Sequence, residues 1–469
     1  MRVGILTDRP DFFYDIHSLV KSFFPDDDVS IFQEDETAKR EAGYNLELKV
    51  GIPDYTDRKA AKDALKQELY RTLSDYTGTE LPWGILSGIR PTRIPMQMLG
   101  AGASEEEAVR YLTENDYVSL PKAQLAVRIA KRERRLLADV PLGEAAYSLY
   151  VHIPFCPSIC LYCTFSSSPV SAWKKRIDEY LDTVIREMQR RHEQIVMSGR
   201  RSGPVTVYIG GGTPTSLSAG QLDRLLGSIS RIFDLSGVIE YTVEAGRPDS
   251  FEKEKLAVLK QHGVTRISVN PQTMNDRTLE LIGRRHTTED TVRAFHMARE
   301  AGFENINMDI ILGLPGEGEA ELQNTLEGIS QLEPDSLTVH SLAVKRASRL
   351  TRQILEDREK DECADRGAFR GLSLENSADL MDMAAGSAER LGMVPYYLYR
   401  QKNMRGNLEN TGFSVPGKEC LYNILIMEEV QTIEAFGAGA STKTVYDDGR
   451  IERTISPKDV KTYLERMNQ

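Results

Sequence analysis

The 469-residue chain contains five cysteines, and three of them share one short stretch, YVHIPFCPSICLYCTFSS (150–167). Cys156, Cys160 and Cys163 are spaced Cys-x3-Cys-x2-Cys. Three chemistries compete for that spacing. A structural zinc site wants four protein ligands, yet no fourth cysteine is close in sequence, and His152 lies in the preceding strand-like run. A redox Cys-x-x-Cys pair accounts for Cys160 and Cys163 but leaves Cys156 unexplained. Three thiolates on one loop suit three irons of a [4Fe–4S] cube. The fourth iron then stays open to a substrate or cofactor, and this reading fits best.

The elements that must position this loop have a regular rhythm. Strand-like runs occur at SLYVHI (148–153), VTVYIG (205–210), IEYTVEA (239–245), TRISVN (265–270), NINMDIIL (305–312) and SLTVHSL (336–342). Helical periods fall between them. Ile177, Tyr180, Leu181, Val184, Ile185 and Met188 recur on one face, and residues 221–233 and 320–332 are further helices. Repeated βα units imply a parallel sheet, doubly wound or closed into a barrel. Polar and glycine residues gather just after the strands, at the edge where barrels build their sites.

Three regions follow. Residues 1–141 open with a strand, RVGILT, then an acidic stretch, FPDDDVSIFQEDE. A helix at 105–115 and a basic run, AKRERRLL, come later, the latter read as a solvated helix face. LPWGILSGIRPTRIP (81–95) reads as an ordered loop. Residues 142–384 hold the βα repeats. Residues 385–469 carry PYYLYRQKNM and IEAFGAGAST; Tyr396, Tyr397 and Tyr399 could line a pocket or pack a core strand.

Bulk properties bound the answer. Hydrophobic residues at 40% and charged residues at 28% fit a globular protein. A net charge of −11 argues against general nucleic-acid binding. The opening MRVGILTDRP lacks a signal-peptide core, and no run approaches the ~20 apolar residues of a membrane span. Irregular cysteine spacing is not a secreted disulfide framework. The expected compartment is the cytoplasm.

The cysteine spacing after a first strand, with an aromatic at Tyr162, resembles the radical S-adenosylmethionine (SAM) superfamily. The flanking YVHIPFC and GGGTPT (210–215) resemble its oxygen-independent coproporphyrinogen III oxidase family. The N-terminal LPWGILSGIRPTRIP and the long C-terminal stretch from YYLYRQKNM to IEAFGAGAST resemble that family's coproporphyrinogen dehydrogenase branch. The resemblance implies an α/β fold: a partial (β/α)6 TIM-like barrel flanked by an N-terminal α+β domain and a small C-terminal domain. It implies a [4Fe–4S] cluster on Cys156, Cys160 and Cys163, with two SAM molecules. SAM contacts carried over by position are Tyr150, Tyr162, Gly211, Gly212, Thr213, Glu244, Gln272, Arg284, Asp309 and Ala343.

The activity implied is conversion of coproporphyrinogen III to protoporphyrinogen IX. Two propionates would be oxidatively decarboxylated to vinyls by a 5′-deoxyadenosyl radical made from SAM. A flavodoxin or ferredoxin would supply electrons to a monomeric enzyme. Because the substrate has four carboxylates, Arg90, Arg93, Arg247, Arg400 and Arg405 are its candidate partners. Two departures stand out. Phe165 occupies a position where the better-known branch has another cysteine. Tyr422 precedes Asn423 where the sibling heme-chaperone branch has a His-Asn pair. A heme carrier and another radical SAM enzyme acting on a tetrapyrrole are the alternatives.

Overall fold

The computed structural model describes residues 2–25, 27–33, 44–51, 57–201, 203–345, 347–360, 368–401 and 405–467. The side chains of 358–360, 368 and 405 are not among those described. At the N-terminus, β1 (Arg2–Thr7) lies between β2 (Asp28–Gln33) and β3 (Leu46–Val50), all parallel. Residues 3–7 of β1 are buried without alternation, as a central parallel strand covered on both faces must be. Helix Phe13–Phe23 crosses from β1 to β2 and buries Ile16, Leu19 and Val20. This unit has its own apolar core with helix Arg58–Thr77.

The six strand-like runs of the middle region all form strands. They are β4 (Gly143–Ile153), β5 (Thr206–Gly211), β6 (Glu240–Val243), β7 (Arg266–Ser268), β8 (Ile306–Leu312) and β9 (Ser336–Ser341). They lie side by side in chain order, every neighbour parallel, with helices in the crossovers. That is the partial barrel expected. Residues alternate across it with period two. Leu149, Val151, Val207, Ile209, Ile306, Met308 and Ile310 join the core beneath the helices. Tyr150, His152, Tyr208, Asn307 and Asp309 point to the opposite face. Helix Ile177–Met197 buries Ile177, Tyr180, Leu181, Val184 and Met188, the face that the 3.6-residue period marks.

The C-terminal segment is built into the same sheet at both edges. Strands β10 (Val394–Tyr399) and β11 (Asn410–Ser414) extend it beyond β9, antiparallel. At the other edge β12 (Gln431–Phe436) runs parallel to β4, placing Ala435 beside Tyr150. Hairpin strands β13 (Ser441–Val445) and β14 (Ile451–Ile455) follow. Between them, helix Leu421–Glu428 starts against the barrel interior. The Glu240 carboxylate of β6 accepts from the backbone N–H groups of Leu421 (2.5 Å) and Tyr422 (3.3 Å). A negative charge at the helix start satisfies otherwise unpaired donors.

Of the stretch 81–95, residues 81–92 are an ordered loop docked on this C-terminal segment, while 93–95 open helix Arg93–Gly100. The indole N–H of Trp83 and the Lys122 ammonium each donate to one oxygen of buried Glu409, both at 2.7 Å. The basic run 130–137 sits in helix Leu120–Leu137. Lys131, Arg134 and Arg135 are exposed there, but Glu133 is fully buried with neither oxygen partnered. Burial, then nearby Glu428, pushes its carboxyl well above the ordinary range. Among the described residues no helix is long and apolar enough to cross a membrane.

Candidate metal centre

The cysteine loop leaves the C-terminal end of β4 and is fastened at both ends. Phe155–Cys156 pairs with Ser168–Pro169, and the Ser168 N–H donates to the Pro154 carbonyl at 2.7 Å. In between, the Leu161 N–H donates to the Ile282 carbonyl (2.9 Å), and the Ser158 hydroxyl to the Gly283 carbonyl (2.8 Å). Leu161 packs among Leu279, Ile282, Leu342 and Leu350. The Cys163 N–H turns back onto the Cys160 carbonyl at 3.2 Å.

Cys156 and Cys160 are each 9% exposed and Cys163 is more open. Burial pushes the Cys156 thiol up to about 11, opposed by the Thr213 hydroxyl, 3.6 Å from its sulfur. Burial raises Cys163 as well. Buried thiols of this kind ionise when cationic metal replaces their protons. Among the described residues no three His, Cys, Asp or Glu side chains converge as a single ion would require. One thiolate per metal atom of a cluster fits three thiols on one loop, whereas a closed structural zinc site wants four protein ligands. Cys420 is buried elsewhere, donating to Glu240 at 3.4 Å, and Cys363 lies outside the described residues.

The glycine turn after β5 is stitched to the loop. The N–H groups of Gly212 and Thr213 donate to the carbonyls of Ile153 and Phe155, both at 2.8 Å. A Cβ on Gly212 would come within 2.7 Å of the Phe155 carbonyl and 3.0 Å of the Cys156 sulfur. Gly211 has φ +111°, and a Cβ there would strike the His152 ring at 2.6 Å. Only glycine lets the two backbones meet.

The remaining expected contacts follow the strand ends in order. Glu244, one residue past β6, accepts from the Tyr208 hydroxyl (2.6 Å) and the Gly211 N–H (3.2 Å). Burial, opposed by Tyr208, pushes its carboxyl up to about 7. The Tyr150 hydroxyl meets His152 Nδ1 at 3.1 Å, and its ring stacks with Tyr208 and Tyr422. Gln272, after β7, has φ +70°, a conformation costly outside glycine. Its N–H donates to the Asp309 carbonyl and its own carbonyl accepts from Ile311, both at 2.9 Å. Its side-chain oxygen is buried without a partner.

Arg284 donates to the Asn270 carbonyl at 2.7 Å and lies against Cys160 and Tyr162, while its Nε has no partner. Asp309 accepts from Asn307 at 2.7 Å and faces His340 at 3.8 Å. Burial alone would raise the Asp309 carboxyl, but these neighbours, His340 foremost, hold it below its ordinary value. Ala343 sits just past β9. Asn270, Gln272 and Arg284 each carry a buried polar atom without a partner, as a cradle for a polar ligand would, and Arg284 lies against the loop at Cys160 and Tyr162.

The arginines are not brought together. Arg90 pairs with Glu429 at 2.6 Å and donates to the Met427 carbonyl. Arg93 is exposed at the start of helix Arg93–Gly100. Arg400 is buried, its guanidinium given to the carbonyls of Leu86, Asn407 and Leu408 and to the Asn407 side chain. The side chain of Arg405 lies outside those described. Arg247 joins the cysteine loop instead. Tyr396 and Tyr397 are core residues of β10, packed with Cys420 and Tyr422.

Sequence reasoning missed Tyr208, His340 and His286. The first two occupy alternate positions of β5 and β9, a signal present in the strand pattern. Buried His286 has neither ring nitrogen partnered; burial and then Arg284 and Arg247 push it down to about 3.

Comparison with known proteins places this geometry. The model of the radical SAM superfamily matches residues 150–329. The chain is 42% identical over 419 residues to the oxygen-independent coproporphyrinogen-III oxidase-like protein HemZ of Bacillus subtilis (strain 168), covering 88% of this chain and 81% of that one. It is 33% identical to the heme chaperone HemW of the same organism, covering 68% and 75%. Among solved structures, the coproporphyrinogen III oxidase HemN of Escherichia coli, a radical SAM enzyme, superposes with a TM-score of 0.54. That match has 24% identity and covers 69% of this chain and 70% of that one.

Proposed function

The chain belongs to the radical SAM superfamily and, within it, to the oxygen-independent coproporphyrinogen III oxidase family that includes HemZ, and on that footing we propose that it converts coproporphyrinogen III to protoporphyrinogen IX. The cofactors of the superfamily are SAM and a [4Fe–4S] cluster. Bound together, they supply a carbon-centred radical that removes a hydrogen atom from a substrate carbon. In the proposed reaction each of two propionates loses one hydrogen atom to the radical, then carbon dioxide and one electron, the electron passing to a one-electron acceptor, leaving a vinyl group. Two SAM molecules are consumed per product. The observation that carries this reading is the identity to HemZ across 88% of the chain, which exceeds what the barrel alone could supply.

The chain's own residues bind, orient and exclude water. Cys156, Cys160 and Cys163 hold three irons. Gly211, Gly212 and Thr213 bring backbone close to the ligand at the strand edge, beside Tyr150 and Tyr162. Asp309, kept ionised by His340 and Asn307, accepts from ligand hydroxyls, and Glu244 serves the same edge. Gln272 offers its unpartnered oxygen to a ligand donor, and Ala343 borders the adenine side. Residues 142–384 form the cofactor-binding part, 385–469 cover the substrate side and 1–141 brace it. The enzyme acts as a cytoplasmic monomer with a flavodoxin- or ferredoxin-type reductant.

One anaerobic assay tests the reading: reconstituted protein with SAM, reductant and coproporphyrinogen III, followed by product mass. Protoporphyrinogen IX with about two SAM consumed per product is expected, since each propionate needs its own radical. The likeness to HemW favours a second reading, a heme carrier. Stoichiometric heme binding without decarboxylation would select it and sink the first. Tyr422 bears on this choice: it is 4% exposed and stacked 4.4 Å from Tyr208, so it is packed as core rather than presented to a ligand.

Arg284 provides a narrower test. If it clamps the SAM carboxylate, Arg284→Ala loses a charge-assisted pair of roughly 1.5–3 kcal/mol, on the order of ten- to a hundredfold in affinity. Arg284→Lys should recover only part, lacking the planar fork. Anaerobic SAM titration with iron measured alongside gives the answer. Unchanged affinity in Arg284→Ala would remove this residue from the SAM site.

A further inference from the structure

Arg247 is 4% exposed, and every one of its N–H groups is assigned. Nε and Nη2 clasp the two oxygens of Asp249 at 2.9 and 2.8 Å. Nη2 also donates to the Ser158 hydroxyl (3.0 Å). Nη1 donates to the Ser158 carbonyl (3.2 Å) and to the Cys160 sulfur (3.6 Å). The first contacts fix the guanidinium plane, so the last N–H can only point at Cys160. Neither of the other loop cysteines receives such a donor: Cys156 has the neutral Thr213 hydroxyl, and Cys163 has the Phe165 backbone and the Ser167 side chain.

We propose that Arg247 is a positioning residue that sets the reduction potential of the cluster through the Cys160 thiolate, with Asp249 as the clamp that aims it. The inference rests on the three-cysteine cluster site but not on the identity of the tetrapyrrole. Adding one electron to a [4Fe–4S] cluster adds one negative charge, part of it on the thiolate sulfurs. A cationic N–H donor held in a dry site stabilises the reduced form more than the oxidised one. Hydrogen bonds to cluster sulfurs and local charge are among the protein's levers on potential. The same donor holds the Ser158 carbonyl, and so keeps the backbone before Cys160 in place. No polar pocket for a substrate carboxylate is left on this arginine, because all its donors are taken.

The test is potentiometric titration of anaerobically reconstituted protein, with dithionite as reductant and the electron paramagnetic resonance signal of the reduced cluster as readout. Iron and sulfide are measured first. Wild type without a cluster would end the cofactor assignment itself, and this inference with it. Arg247→Gln keeps a neutral donor and is expected to lower the midpoint by about 60 mV, a tenfold change in the one-electron equilibrium. Asp249→Glu keeps the charge but displaces the clamp that aims the arginine, and a smaller shift of the same sign is expected. If Arg247→Gln does not hold iron, Asp249→Glu decides alone. A wild-type midpoint in Asp249→Glu, or in an iron-loaded Arg247→Gln, overturns the proposal. A purely structural role would alter cluster occupancy or melting temperature without moving the midpoint of the clusters that do form.

Discussion

The Cys160→Ala protein is expected to come out of anaerobic reconstitution without a stable brown chromophore, and with iron and sulfide at a small fraction of wild type. Cys156→Ala and Cys163→Ala should behave the same way. In the proposed site each thiol would be the sole protein ligand of one iron, so loss of one would leave a metal atom held only by the cluster itself. Changing merely an outer partner of a metal ligand costs about 10–100-fold in affinity, and removing the ligand costs more. The controls are built into the chain. Cys420→Ala removes a thiol bound to Glu240, away from the loop, and should leave iron content untouched. Full iron and sulfide in Cys160→Ala would end the three-ligand assignment.

Much of this site could be read from the sequence because its signals are local. Cys-x3-Cys-x2-Cys fits on one loop, and six β-branched runs separated by helical periods announce the barrel. Glu244 and Asp309 each sit in a run whose neighbours alternate apolar and polar, so their side of the sheet follows from parity. What the sequence hid depends on distant pairing. Arg247 and Cys160 meet only when β6 lies near β4. The wide-mouthed family of arginines proposed for substrate dissolves for the same reason: Arg400 finds Leu86 and Asn407, and Arg90 finds Glu429. Leu86 and Glu429 lie more than 300 positions from the arginines they meet, so neither is visible from the arginine's own neighbourhood. The positive φ of Gln272 is similarly set by its bracket between Asp309 and Ile311, since nothing in VNPQTMN demands it. Helix Leu421–Glu428 depends on Glu240 for its first N–H groups, a cap supplied from 181 and 182 positions away.

Glu409→Ala is expected to destabilise the protein by about 3–5 kcal/mol, the range for removing one partner of a buried ion pair. Glu409 is fully buried and the Lys122 side chain is 8% exposed. Without the carboxylate, the ammonium has no counter-charge and the Trp83 N–H loses its acceptor. Both losses fall on the seam between the N-terminal helices and β11. Combining Glu409→Gln with Lys122→Met should restore most of the loss, because removing both charges leaves neither one stranded. Thermal and denaturant unfolding of the single and paired variants measures the effect, with limited proteolysis of the loop at 81–92 reporting on the seam. Stability of Glu409→Ala within about 0.5 kcal/mol of wild type, the range of ordinary surface changes, would show that this pair does not join the segments.

The strand that flanks the cysteine loop's own strand comes from the far end of the chain. β12 pairs with β4 in register Ala435 to Tyr150, so on the ribosome β4 emerges long before its neighbour exists. Through synthesis of everything up to Gln431, one edge of β4 stays open and the loop bearing Cys156, Cys160 and Cys163 hangs from an unfinished sheet. Open strand edges invite pairing with other chains, and such distant contacts form slowly. A nascent chain of this protein therefore carries β4 paired with β5 alone until β12 has been translated. The order of assembly is written into the sheet: β5 flanks the loop's strand first, and β12 closes its other edge later.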